Sequence, residues 1–192
     1  MAPHEPPARL GFTVVSGRGG PEGAARQQGG SESAEALPRA LVLLVSGPNL
    51  GMLGQRQPEI YGRDTLADHV ARATLAAAEH DLALEHVQSD YEGALVEAVL
   101  RARGRASAVI VNPGALTHYS WSLHDALAAF GGPVVELHLS NPHRRDGWRR
   151  RSVVSPVATG VIAGFGGDGY RLAVDAVAAL LRSEAPAPGE RH

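Results

Sequence analysis

Tyr61 and Arg56 stand five residues apart in the stretch GPNLGMLGQRQPEIYG, residues 47–62. A phenol is a poor base at neutral pH, because its reference pKa is about 10. A guanidinium about 4 Å away, at an effective dielectric of about 20, favours the phenolate by roughly 4 kcal/mol, or about three pKa units. The pair is therefore a candidate base with its own electrostatic support. Histidine suits the opposite task, donating a proton to a departing hydroxyl. An amide can orient a water against a developing oxyanion. Such side chains recur in three short segments: Asn49 in SGPN, Asn112 and His118 in NPGALTH, and Glu136, His138, Ser140 and Asn141 in ELHLSN. A base, an acid and an oxyanion stabiliser, without metal or cofactor, describe an elimination next to a carbonyl. They give a reaction class and no substrate.

Other chemistries are poorly served. The chain has no cysteine, which removes disulfides, thiolate nucleophiles and cysteine-based metal sites. No serine sits in a nucleophile-elbow motif, and no full phosphate-loop pattern is present. His138 and His143 are five apart and His118 and His124 six apart, neither matching a helical metal pair, so no metal is expected. A net charge of −2 gives no nucleic-acid footprint. The one basic concentration, Arg144, Arg145, Arg149, Arg150 and Arg151, reads as a solvated segment with some interface pairing rather than an anion site. No apolar stretch approaches membrane-span length, and no signal-peptide layout opens the chain. A soluble, cytoplasmic protein is expected.

These residues need a frame to bring them together. Residues 1–38 are rich in Gly, Pro, Ser, Gln and Ala, and read as a disordered extension, as does the tail 184–192. One domain is expected over 39–183, a length that can bury a sizeable core. Within it, strand-like runs lie at 40–45, 82–87, 106–111, 133–139 and 160–165. The first is apolar throughout, as a strand covered on both faces should be. Helical faces alternate with them: Leu66, Val70, Ala73 and Ala77; Leu95, Val99 and Ala102; Leu123, Leu127 and Phe130; Tyr170, Val174, Val177 and Leu181. Thr65 with Asp68 forms a capping-box pattern, and Ser89 with Glu92 repeats the spacing. Helices of crossover length between strands predict an α/β fold: a five-stranded, doubly wound parallel sheet of flavodoxin-like order with helices on both faces. Ligands of such sheets bind beyond the carboxyl ends of the strands. The three polar segments all follow strands, and the loop carrying Arg56 and Tyr61 leaves the same rim. Each residue alone also suits a turn or cap. Their convergence favours a site.

At these residues the sequence resembles the type II 3-dehydroquinate dehydratases, from about Leu41 to Leu181. The resemblance rests on GPNLGMLGQRQPEIYG, NPGALTHYS, ELHLSNPHRRDGWRRRSVVSPVATGVIAGFG and the closing GY, in that order. It implies cofactor-independent anti dehydration of 3-dehydroquinate to 3-dehydroshikimate through an enolate, in the shikimate pathway. It further implies a flavodoxin-like fold and a homo-oligomer, usually a dodecamer built as a tetramer of trimers. By motif, Tyr61 would remove the C2 proton, Arg56 would support its phenolate, and their loop would be a lid. Asn49 would hold the water that stabilises the enolate oxygen. His138 would protonate the leaving C1 hydroxyl, with Glu136 and Asn112 setting its position. The substrate carboxylate would meet Asn112 and the backbone N–H groups of Leu139 and Ser140, while His118 and Arg149 would bind ring hydroxyls. Asp125 matches an aspartate that reaches a neighbouring subunit's site.

Departures from the family pattern are modest. Tyr119 and Trp121 replace smaller residues, and Asp168 stands where glutamine is common. Asp90-Tyr91 and Glu97-Ala98-Val99 replace Asn-His and Trp-x-His positions, changes expected to reflect helix packing. The type I enzymes of the same reaction use a lysine Schiff base, and this chain contains no lysine. Two alternatives stand beside this reading. One is a flavodoxin-like nucleotide-binding module, which leaves Tyr61 and His138 without a task. The other is an inactive homologue, against which the intact set of site residues argues.

Overall fold

The computed structural model describes residues 39–54 and 63–184. The expected extension 1–38 and the tail beyond residue 184 lie outside them. Five parallel strands, β1 (Ala40–Ser46), β2 (Leu82–Gln88), β3 (Ala108–Asn112), β4 (Val134–His138) and β5 (Gly160–Ala163), form one sheet ordered β2-β1-β3-β4-β5. This is the flavodoxin-like order. Successive strands run outward from β1 in opposite directions, which opens a crevice between the carboxyl ends of β1 and β3.

Among the described residues, four α-helices cover the sheet: α1 (Leu66–Glu79), α2 (Glu92–Ala102), α3 (Trp121–Ala128) and α4 (Asp168–Glu184). Alternation along each strand sends side chains to opposite faces, producing two cores. Val42, Leu44, Ile110, Val135 and Leu137 meet α1 and α4 through Ala73, Ala77, Tyr170, Val174 and Val177. Leu43, Val45, Val109, Val111 and Val134 meet α2 and α3 through Leu95, Val99, Leu123 and Leu127. The central strands are buried on both sides, which is why they read as unbroken apolar runs. Among the described residues no helix is long and apolar enough to cross a membrane.

Local chemistry sets the boundaries. The Thr65–Asp68 capping box forms: Thr65 Oγ1 accepts from the Asp68 N–H at 3.2 Å, and the Asp68 carboxylate accepts from the Thr65 N–H at 2.8 Å. The Ser89 pattern does not. Ser89 Oγ accepts from the Tyr91 N–H at 3.0 Å in a tight turn, α2 starts at Glu92, and the Glu92 carboxylate instead accepts from Ser120 Oγ at 2.7 Å. β3 begins two residues later than its apolar run, because the Ala106 N–H still bonds the Ala102 carbonyl at the end of α2. The β4–β5 connection holds no α-helix. Three 3-10 turns (Pro142–Arg144, Gly147–Arg150 and Ser155–Val157) carry the chain across, where prolines and arginines leave no apolar helical stripe.

Candidate active site

The crevice between β1 and β3 is closed by two loops that interlock. A Cβ on Gly47 would lie 2.4 Å from the Pro113 carbonyl oxygen, and one on Gly114 would lie 3.0 Å from that of Pro48. The Gly47 N–H donates to the Asn112 carbonyl at 2.8 Å, fastening the pair. Only glycine permits this approach, and it brings Asn49 and Asn112 to the same rim. Asn49 sits at φ 66°, ψ −1° before the 3-10 turn Leu50–Met52, and its N–H donates to Asp90 Oδ1 at 2.8 Å. Asp90, set down as a packing change in the sequence, thus reaches a site residue.

Asn112 ends β3 and is 2% exposed. Its Oδ1 accepts from the Gly114 N–H at 3.3 Å, while its buried Nδ2 has no hydrogen-bond partner among the described residues. An orphaned buried amide donor costs free energy unless an acceptor arrives to meet it. Below it lie Ser46 and Tyr170. Burial pushes the Tyr170 phenol up to about 12, although the nearby Asn112 and Ser46 oppose the rise. A buried phenol raised so far does not ionise readily, so this tyrosine is a poor base.

β4 supplies the most organised part. Glu136 and His138, two apart on one strand, project from the same face. His138 Nε2 lies 2.8 Å from Glu136 Oε1, and Glu136 is fully buried. Thr117 Oγ1, Ser152 Oγ and Ser155 Oγ all donate to the same carboxylate. Burial pulls the Glu136 carboxyl upward, but the hydrogen bonds from His138, Ser155 and Thr117 and the charge on His138 outweigh it and hold the group below the usual glutamate range. An ionised Glu136 accepts from Nε2–H, which leaves the other ring nitrogen of His138 to exchange protons on the open side.

Asn49, Asn112, His118, His138, Leu139, Ser140 and Arg149 line one hollow of about 250 Å³, with Pro48, Leu50, Leu53 and Arg145 also in its wall. His118 Nδ1 is anchored 2.7 Å from the Arg151 carbonyl, and its ring meets Trp148 edge-on at 5.1 Å. The Arg149 guanidinium lies 4.0 Å over the Trp148 ring, a cation–π contact that steadies it. Seven of the expected site residues therefore meet in one place, with Glu136 directly behind them. Asp125 does not join them; it is exposed on α3. Arg56 and Tyr61 lie outside the described residues. Tyr119 and Trp121 are 60% and 62% exposed and stay off the hollow. Sequence reasoning missed Thr117, Ser152, Ser155 and Asp90. Their side chains stand in no spacing that points to chemistry, and only the fold brings them to Glu136 and Asn49.

Residues 40–178 match the family described as dehydroquinase class II. The chain belongs to that family. Over 141 residues it is 52% identical to a 3-dehydroquinate dehydratase of Corynebacterium glutamicum strain R, a match spanning 73% of this chain and 97% of that protein. A second 3-dehydroquinate dehydratase, from Cereibacter sphaeroides strain KD131, is 49% identical over 72% of this chain and 95% of its own length. Among solved structures, type II dehydroquinase from Propionibacterium acnes superposes with a TM-score of 0.70 at 40% identity, covering 72% of this chain and 96% of that one. As a class II dehydroquinase the chain is a hydro-lyase, in keeping with the acid–base set around its hollow.

Proposed function

We propose that this dehydroquinase removes water from 3-dehydroquinate, by anti elimination through an enolate, to give 3-dehydroshikimate in the shikimate pathway. The C2–H bond breaks as its proton passes to the Tyr61 phenolate, which Arg56 supports by charge. The electron pair becomes the enolate, whose oxygen is stabilised by a water held by Asn49. The enolate then expels the C1 hydroxyl, which leaves as water with a proton from His138. The step is redox-neutral and needs no cofactor. Asn112 Nδ2 and the backbone N–H groups of Leu139 and Ser140 take the substrate carboxylate, and His118 and Arg149 take ring hydroxyls.

The observation that carries this reading is His138 at the wall of the hollow, paired with the buried Glu136 and with its second ring nitrogen left for a substrate. Two others support it. The unpartnered Asn112 amide suits a carboxylate acceptor. Of the three described tyrosines, Tyr170 is buried, and Tyr91 and Tyr119 are 80% and 60% exposed away from the hollow, which favours Tyr61 as the base. A volume of about 250 Å³ suits a substituted six-membered ring and is small for a dinucleotide. We take the enzyme to be a cytoplasmic dodecamer of four trimers in which Asp125 serves a neighbouring subunit's site. Its exposure on α3, away from its own hollow, accords with that role.

The test is direct. Purified protein added to 3-dehydroquinate should generate the ultraviolet absorbance of a conjugated enone, and a folded, assembled sample without that signal would end the proposal. Tyr61→Phe and His138→Ala should each lower kcat by at least about 100-fold, the scale of a positioned acid or base, while assembly is retained. Undiminished turnover in either variant removes that residue from its role.

A further inference from the structure

We infer that Thr117, Ser152 and Ser155 form a hydroxyl cradle that keeps Glu136 an anion and so positions His138 as proton donor; the inference rests on the dehydratase reading above. Counting hydrogens leads to it. Ser152 Oγ accepts from the N–H groups of Val154 at 3.0 Å and Ser155 at 2.8 Å, which occupies both of its lone pairs. Its one proton must then point outward, to Glu136 Oε1 at 3.0 Å or to Thr117 Oγ1 at 2.8 Å. Thr117 Oγ1 donates to Oε1 at 2.5 Å, and Ser155 Oγ donates to Oε2. With His138 Nε2–H on Oε1, the carboxylate is met by donors on both oxygens. A protonated Glu136 would need one of its donors to turn into an acceptor, and Ser152, with both lone pairs used, cannot. The cradle therefore accommodates the anion and resists the acid.

This matters because Glu136 is fully buried, where an unshared charge would take its partner's proton. Were the Nε2 proton to move to Glu136, the hydrogen bond would reverse its direction and His138 would lose its tautomer. The hydroxyls spread the charge so that the proton stays on the imidazole. His138 is the titratable group in contact with Glu136 among the described residues. At the neighbouring register β3 presents Val111 and β5 presents Val161. His143, Arg149, Arg150 and Arg151 border a second hollow, of about 470 Å³, which Thr117, Ser152 and Ser155 also line. The three hydroxyl residues are positioning residues, since they act on the proton donor through the carboxylate.

Ser155→Ala is the first test, because its hydroxyl serves only Glu136 among the described contacts. Its kcat should fall about tenfold, the scale of one hydrogen bond to a charged group, with KM changed less than about twofold. Losing a donor to the ionised form raises the Glu136 pKa, so the acidic limb of the kcat–pH profile should move toward neutral. Ser155→Thr should restore both. Thr117→Val removes a second donor with little change of shape, and carries the same prediction if Ser155→Ala fails to fold. Wild-type kcat and an unmoved acidic limb in the folded variant would overturn the cradle, as would a loss of thermal stability alone. Nitrogen-15 NMR of His138 reads its tautomer without turnover. A wild-type protein with no dehydratase activity but a fixed Nε2–H, lost in Ser155→Ala, would sink the dehydratase reading and leave the cradle standing.

Discussion

Asn49 sits in the left-handed region, which asparagine enters more readily than most side chains. Its backbone N–H is held by Asp90 Oδ1, which also accepts from Gln88 Nε2 at 3.2 Å. The Asp90 carboxylate thus tethers the residue proposed to hold a water at the enolate oxygen, from a loop that never lines the hollow. Asp90→Ala frees Asn49 to leave that conformation. Its kcat should drop about tenfold, since a charge-assisted hydrogen bond is worth about 1.5–3 kcal/mol and the tether is partly solvated. Asp90→Asn keeps an acceptor oxygen and should remain within about threefold of wild type. Steady-state kinetics at saturating substrate distinguishes the two, and equal activity of Asp90→Ala and wild type would show that Asn49 needs no tether.

At the scale of elements, the two loops beyond β1 and β3 succeed or fail together. Gly47→Ala would push a methyl group into the Pro113 peptide, and backbone on both sides leaves no soft neighbour to yield. The loops should separate, at a stability cost of about 1–3 kcal/mol, with Asn49 and Asn112 drawn apart and kcat reduced more than tenfold. Chemical denaturation and the enone assay measure the two effects, and a variant of unchanged stability and activity would show that the loops can part harmlessly. This interlock explains what the sequence could and could not reveal. The strands and the four helical faces were legible because burial imposes a period on them, and the polar residues at strand ends were legible because α/β sheets bind there. The β4–β5 connection was not, since 3-10 turns such as Pro142–Arg144 and Ser155–Val157 are too short to carry a periodic signal. For the same reason Ser152 and Ser155 could not be read as site residues. Their meaning lies in their distance to Glu136, and spacing along the chain encodes none of it. The Ser89 pattern misled because its hydroxyl found a nearer N–H, that of Tyr91, in the turn before α2.

At the scale of the whole molecule, acid should loosen the fold through a group outside the chemistry. His86 lies on β2, the outermost strand beside β1, with Nε2 3.1 Å from Ser46 Oγ. Burial lowers its pKa from 6.5 to about 4. The folded state therefore holds this imidazole neutral where the unfolded chain would protonate it. Because the folded pKa lies below the unfolded one, the stabilisation is complete above about pH 6.5 and is lost as pH falls toward about 4. A shift of that size is worth roughly 3 kcal/mol per chain. Other groups act in the same direction, His69 and Glu136 among them. Burial and the Arg72 charge lower the His69 pKa, and the donors around Glu136 hold its carboxyl below the usual range, so its contribution fades at still lower pH. Denaturant unfolding at pH 7.5 and 4.5, at one fixed protein concentration so that assembly is held constant, should give clearly lower stability at the acidic value. His86→Gln keeps a polar group near Ser46 but cannot take up the proton. Its stability should fall less between the two pH values, leaving the slope due to the other groups. If His86→Gln loses as much stability on acidification as the wild type, the acid sensitivity does not come from His86.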